Sequence, residues 1–172
     1  MYPHWEHNMD LILDWLENTP QIHTVFIHNR WIELVNSHRD MRLKQLVADG
    51  LLHTCARLRK AGKQIVLLGP VPEWTFGPRK LMRRNALLNA NRADRLLGGD
   101  FITRQRPVFA LLEHMESTGL CRFIPLHGAF HKNGRWLEED EGHLMYCDDN
   151  HLSPYGSRKM VSGILDQLFP GM

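Results

Sequence analysis

An α/β fold with a mainly parallel sheet is the class this sequence predicts, and three observations predict it. Apolar stripes at helical spacing alternate with short runs rich in β-branched residues. The connections between them are short. One run, QIVLLGP from Gln64 to Pro70, is apolar almost throughout, as in a sheet covered on both faces.

The elements follow in order. Trp5, Met9, Ile12, Leu13 and Leu16 recur at helical spacing, and the NTPQ segment ends that helix. Ile22 to His28 (IHTVFIH) reads as the first strand. Trp31 to Lys44 is mixed in composition and reads mostly as loop. Val47, Leu51, Cys55 and Leu58 form the stripe of a second helix, with Lys60 in its last turn and Gly62 as its stop. Gln64 to Pro70 is the second strand. A loop, VPEWTFGP, leads to a helical pattern over Arg79 to Leu97. Arg104 to Thr118 predicts another helix, with Val108, Leu111, Leu112 and Met115 inward and Gly119 at its end. CRFIPL is a third strand, Gly128 to Gly142 a polar excursion and HLMY a short extended piece. The last helix runs from Ser153 to Leu168. The strands ending near His28 and Leu68 both read as buried on both faces.

At 172 residues the chain fits a single domain with a real core. Hydrophobic residues at 43% and charged residues at 23% exclude a disordered chain. A net charge of +2 is too small to imply a nucleic-acid partner, so the basic RKLMRRNALLNANRADR segment reads as a solvated face. Cys55, Cys121 and Cys147 have no CxxC spacing and indicate neither a zinc site nor a disulfide framework.

His127, His131, His143 and His151 raise a metal hypothesis. Gly128 and the preceding Pro125-Leu126 speak against the helix that two histidines four apart would need, and no cysteine or carboxylate at ligand spacing completes a set. No metal and no cofactor is expected. No segment has the length of a membrane span. The acidic, amphipathic N-terminus, MYPHWEHNMDLILDW, is no signal peptide, so the chain as written predicts a soluble protein without an export address.

In parallel sheets functional groups gather at the carboxyl ends of strands. That directs attention to the loops after His28, after Leu68 and around Asp148. The last of these reads YCDDNHLSPYG, from Tyr146 to Gly156. Ser153 followed by Pro154 is a helix start, serine at the N-cap and proline at the first helical position. Capping does not account for Asp148 and His151, which precede it. An aspartate three residues ahead of a histidine on one tight loop can bond Nδ1 and fix the tautomer. Nε2 is then free to take a proton from a hydroxyl nucleophile. Spacing favours Asp148 over Asp149 for that role and leaves Asp149 to solvent. Trp31 and Trp74, on loops at the same edge, either line an acyl or sugar pocket or pack into the core.

YCDDNHLSPYG resembles the last block of the SGNH (GDSL-like) hydrolase superfamily, in which Asp-x-x-His supplies two members of a catalytic triad. TVFIHNRW, then AGKQIVLLGPVPEW, then DDNHLSPYG are similar in order and spacing to the C-terminal SGNH domain of membrane acyltransferases that O-acylate surface polysaccharides. The resemblance covers the chain from about Trp5 to Phe169. It implies a three-layer α/β/α sandwich of flavodoxin-like type and an esterase or O-acyltransferase chemistry. His151 would be the general base and Asp148 its orienter. An acyl donor, a glycan acceptor and a membrane acyltransferase region would be its partners, outside the cytoplasm.

The sequence departs from the pattern in two places. No Gly-Asp-Ser is present; the serines are Ser37, Ser117, Ser153, Ser157 and Ser162, and none follows a strand in that context. The sequence thus reads as starting downstream of the first block, without a strand that the family keeps in the middle of its sheet. The expectation is weak or absent turnover and an open sheet that self-associates or borrows a strand. The Gly-x-Asn-Asp block of the oxyanion side is also missing, and by position Asn29 or Arg30 takes its place. The alternative function is a non-catalytic remnant or interaction domain that retains the fold.

Overall fold

The structure, a computed structural model, describes residues 5–36, 41–74, 77 and 100–168. The elements in chain order are α1 (Trp5–Glu17), β1 (Thr24–Ile27), α2 (Trp31–Asn36), α3 (Met41–Lys60), β2 (Gln64–Leu68), α4 (Phe101–Ser117) and β3 (Arg122–Ile124). A 3-10 turn (His127–Phe130) follows, then β4 (His131–Lys132), β5 (Arg135–Trp136), β6 (Glu139–Asp140), β7 (His143–Leu144) and α5 (Pro154–Leu168). The helix expected over Arg79 to Leu97 lies outside the described residues. The chain divides into two compact units, residues 1–69 with 107–124 and residues 70–106 with 125–172.

The first unit is built on a parallel sheet ordered β1-β2-β3, the fold class that the alternating pattern predicts. Thr24 pairs with Gln64 and Ile27 with Leu67; Val66 pairs with Arg122 and Leu68 with Ile124. The core joins Leu13, Trp31, Ile32, Val35, Cys55, Leu58, Ile65, Leu67, Val108, Leu112 and Met115. Full burial of each large aliphatic side chain contributes about 1.5–3 kcal/mol. Arg57 ties α3 to α1, donating to Glu17 at 2.7 Å and 3.0 Å and to Asp14 at 2.7 Å. Gly62 ends α3 as its position predicts, at φ 79°. Its N–H bonds Arg59 O at 2.9 Å and the Lys63 N–H reaches Leu58 O at 3.0 Å.

Three elements differ from the sequence expectation. Trp31 to Lys44 is not mostly loop: Trp31–Asn36 is a helix and α3 already begins at Met41. Trp31, Ile32 and Val35 share one face and are buried there, so core packing outweighs the polar residues between them. Helix α4 starts at Phe101, ahead of Arg104, because Asp100 caps it. The Asp100 carboxylate accepts the Thr103 N–H at 3.0 Å and the Thr103 hydroxyl at 2.6 Å. Strand β2 is buried from Ile65 to Leu67 as expected, but β1 is not: Phe26 is 44% exposed. Among the described residues β1 has β2 as its one neighbour, and an edge strand leaves alternate side chains uncovered.

The second unit holds the region expected to be a polar excursion, which consists of two small antiparallel hairpins. Asn133 (φ 52°) and Gly134 (φ 77°) turn β4 into β5, and Glu141 (φ 51°) and Gly142 (φ 79°) turn β6 into β7. Positive φ at both central residues is the two-residue turn whose twist matches a hairpin. The second hairpin anchors α5. Asp140, buried, receives Lys159 Nζ from that helix at 2.7 Å and the Tyr155 hydroxyl at 3.2 Å, while Tyr155 stacks on His143. The Lys159 hydrogen bond holds the Asp140 carboxyl below its ordinary range.

Candidate active site

The segment between β7 and α5 is a closed loop. Tyr146 and Leu152 form an antiparallel bridge at its neck, and the Cys147 N–H donates to His151 O at 2.8 Å. Ser153 fastens the incoming strand of the neck to the helix start. Its N–H donates to Met145 O at 2.9 Å and its hydroxyl to Leu144 O at 2.5 Å. The same oxygen accepts the Gly156 N–H at 3.0 Å, the N-cap bond that Ser-Pro predicts. Gly156 is needed there because a Cβ would lie 2.0 Å from Met145 O.

Inside this loop Asp148 uses both carboxylate oxygens. Oδ1 accepts the backbone N–H of His151 at 2.7 Å and of Asn150 at 3.0 Å. Oδ2 lies 2.8 Å from Nδ1 of His151. The backbone bond from Asn150, then that from His151, then the imidazole lower the Asp148 carboxyl to about 2. It is therefore an anion at any physiological pH. The His151 side chain is 78% exposed, and its Nε2 has no hydrogen-bond partner among the described residues. The arrangement holds one imidazole nitrogen on a fixed carboxylate and turns the other outward, as a general base needs.

The chain that follows β2 supports the loop from outside. Val71 to Trp74 is buried, and the Trp74 N–H donates to Asp149 O at 2.8 Å. The Trp74 indole meets Tyr146 edge-on, ring centres 5.8 Å apart, and burial keeps the Tyr146 phenol protonated well above its ordinary range. Gly77 comes so close that a Cβ there would stand 3.1 Å from the Asp148 Cα. Sequence reasoning named Trp74 but missed Gly77. Its Gly-Pro signal marks a turn, whereas the requirement here is a close approach of two main chains.

The other expected residues lie in the first unit. Asn29 is exposed and its Oδ1 accepts the Arg30 N–H at 2.7 Å, while the Arg30 guanidinium pairs with Glu33. Trp31 is 3% exposed and Trp74 1%, so both tryptophans are core side chains of their own units. The Trp31 indole N–H donates to Leu68 O at 2.8 Å. Asp148 and His151 are brought together within one unit, with Trp74 bonded to the same loop. Among the described residues no three histidine, cysteine, aspartate or glutamate side chains gather as a metal site would need, and no helix is long and apolar enough to cross a membrane.

A parallel α/β sheet with an oriented Asp-x-x-His loop ahead of its last helix defines a class, that of the SGNH hydrolase-like domains. The chain belongs to the family of SGNH domains fused to AT3 domains, whose pattern it matches over residues 5–166. Among solved structures, the periplasmic domain of the lipopolysaccharide acetyltransferase of Salmonella ser. Paratyphi A is similar in fold, with a TM-score of 0.70 at 17% identity. The match covers 92% of this chain and 61% of that one, so this chain spans less than two thirds of its neighbour. No curated protein matches the chain.

Proposed function

We propose that this domain carries the base of an O-acyl transfer site, moving an acyl group, acetyl in the simplest case, to or from a glycan hydroxyl. The observation that carries this reading is the 2.8 Å contact between Asp148 Oδ2 and His151 Nδ1, with Nε2 left outward. The family pattern and the fold shared with an acetyltransferase domain support it.

The nucleophile is a serine on a Gly-Asp-Ser segment that this sequence does not contain. Among its own serines, Ser117 and Ser153 donate their hydroxyls to the backbone oxygens of His114 and Leu144. His151 Nε2 takes the proton of the supplied serine as its oxygen attacks the acyl carbonyl. The imidazolium, stabilised by Asp148, returns the proton to the leaving group. An acyl-serine remains. A glycan hydroxyl, losing its proton to Nε2, attacks it, and the imidazolium returns that proton to the departing serine oxygen; water in that place gives hydrolysis. By the order of the family's sequence blocks, we infer that Asn29 or Arg30 serves the oxyanion side. The acyl donor reaches the site from a membrane acyltransferase region of the kind to which the family's SGNH domains are fused.

The missing Gly-Asp-Ser favours a second reading for the isolated chain, a domain that retains the fold without turnover. Assaying the chain alone, and then extended by a segment carrying Gly-Asp-Ser, separates the two. The first reading expects acetyl transfer to a polysaccharide acceptor only from the extended chain, and only with His151 intact. An extended, folded chain that neither transfers nor hydrolyses would leave the remnant as the better account.

A further inference from the structure

We propose that Glu73 and Arg104 are positioning residues of the acyl transfer site, an ion pair that holds in place the loop carrying Asp148 and His151. The inference rests on the reading of His151 as general base and adds to it two residues that the sequence does not single out. Glu73 Oε2 lies 2.9 Å from Arg104 Nη2, and the Glu73 side chain is only 5% exposed. A carboxylate taken so far out of water is costly unless a cation meets it, so the pair fixes where Glu73 can sit. Arg104 stands near the start of α4, a helix of 17 residues that Asp100 caps. The support is therefore regular structure rather than a surface loop.

The pair reaches the imidazole through three short links. Glu73 is joined by one peptide bond to Trp74, whose N–H donates to Asp149 O at 2.8 Å. Asp149 follows Asp148 directly, and Asp148 Oδ2 stands 2.8 Å from His151 Nδ1. All of these residues belong to the second unit. Val71 to Trp74 is buried throughout, so a shift of Glu73 moves Trp74 and the loop bonded to it. Gly77 gives the same segment a second point of contact, its main chain packed against that of Asp148. Proton transfer by Nε2 needs hydrogen-bond reach, and a misplacement of about 1 Å can lower a rate by about 10²-fold. A pair that never meets the reacting atoms can thus set the rate through the loop. Glu73→Gln removes the charge at nearly unchanged shape, and Arg104→Lys keeps the charge but loses the planar fork that matches a carboxylate.

The test reads the His151 ring nitrogens by 15N NMR in the full chain, at a pH where the imidazole is neutral, and needs no turnover. The wild type is expected to show the Nδ1–H tautomer, the form that a carboxylate at Nδ1 selects. Glu73→Gln and Arg104→Lys should each turn that single form into a mixture with the Nε2–H tautomer. In the chain extended by a Gly-Asp-Ser segment, the same two variants should lower kcat roughly tenfold with KM within about twofold. Arg57→Ala is the stability control: it removes the ion pairs of α3 with α1, in the other unit. It should lower the melting temperature and leave the His151 ring signals as they are. Ring signals unchanged from wild type in both folded variants would overturn the proposal and leave His151 as the base. Ring signals disturbed equally by Arg57→Ala would also overturn it, by reducing the pair to general stability. A wild type without the Nδ1–H tautomer would instead strike the reading of His151 itself.

Discussion

Asp148 bonds the backbone and the ring of His151 at once: Oδ1 accepts its N–H at 2.7 Å and Oδ2 stands 2.8 Å from its Nδ1. One carboxylate therefore fixes both where the residue sits and which nitrogen faces outward. Asp149, beside it, spends its carbonyl oxygen on Trp74. The loop thus gives different tasks to two adjacent aspartates, the side chain of one and the main chain of the other.

In a chain supplied with the serine, Asp148→Asn is expected to lower kcat by about 10²- to 10⁴-fold, since an amide can hold the wrong tautomer and offers no charge to the imidazolium. Asp149→Asn should change kcat by less than about threefold, as its structural contact is made by the main chain. Parallel ester-hydrolysis kinetics check the ranking. Equal losses would move the orienting role away from Asp148.

The depressed Asp148 carboxyl gives a pH dependence of definite sign. Its folded value, about 2, lies below the unfolded value of about 3.9. Its contribution to stability is complete above the unfolded value and is lost as pH falls through the folded one. The side chain is about half exposed, so after solvent screening the contribution is no more than about 1 kcal/mol. Urea midpoints of the wild type and Asp148→Asn should differ at pH 6 and converge between about pH 4 and pH 2. A gap that widens on acidification would contradict this.

Two glycines separate stability from site geometry. Gly156→Ala puts a Cβ 2.0 Å from Met145 O, where the backbone must move, and should destabilise by about 1–3 kcal/mol or more. Gly77→Ala asks the Asp148 main chain to give only a few tenths of an ångström. It should leave the melting temperature nearly unchanged and lower kcat about tenfold through the displaced loop. Gly128, with nothing within 4 Å of its Cβ direction, is the neutral control. Thermal unfolding and kinetics of the three variants test the assignment.

Ser153→Ala removes the N-cap bond to Gly156 and the bond to Leu144 O together. A loss of about 1–2 kcal/mol is expected, read as a lower urea midpoint with an unchanged slope. A neutral substitution would mean that the main-chain bonds at the neck of the loop hold it without the Ser153 hydroxyl.

Much of this was legible in the residues. The unbroken apolar run of β2 announces a central parallel strand, and the Asp148–His151 spacing announces a bonded pair, because both are local patterns. What escaped was tertiary. Nothing in TVFI tells an edge strand from a central one, so Phe26 was expected inside. Trp31, Ile32 and Val35 lie in a stretch too polar to read as helix until the core claims them. The turn at Asn133-Gly134 was in plain view, yet its strands are two residues each, too short for an alternating pattern. The close approach of Gly77 to the Asp148 main chain depends on segments far apart in the chain meeting, and no window of sequence contains that.

The central claim is that His151, held by Asp148, activates a serine carried by a Gly-Asp-Ser segment. The most direct measurement is the rate at which an organophosphonate probe labels that serine in the extended chain, with His151 present and with His151→Ala. The account predicts labelling of that one serine, slowed by about 10³-fold or more in the variant. Equal labelling rates with and without His151, in two folded proteins, would contradict it.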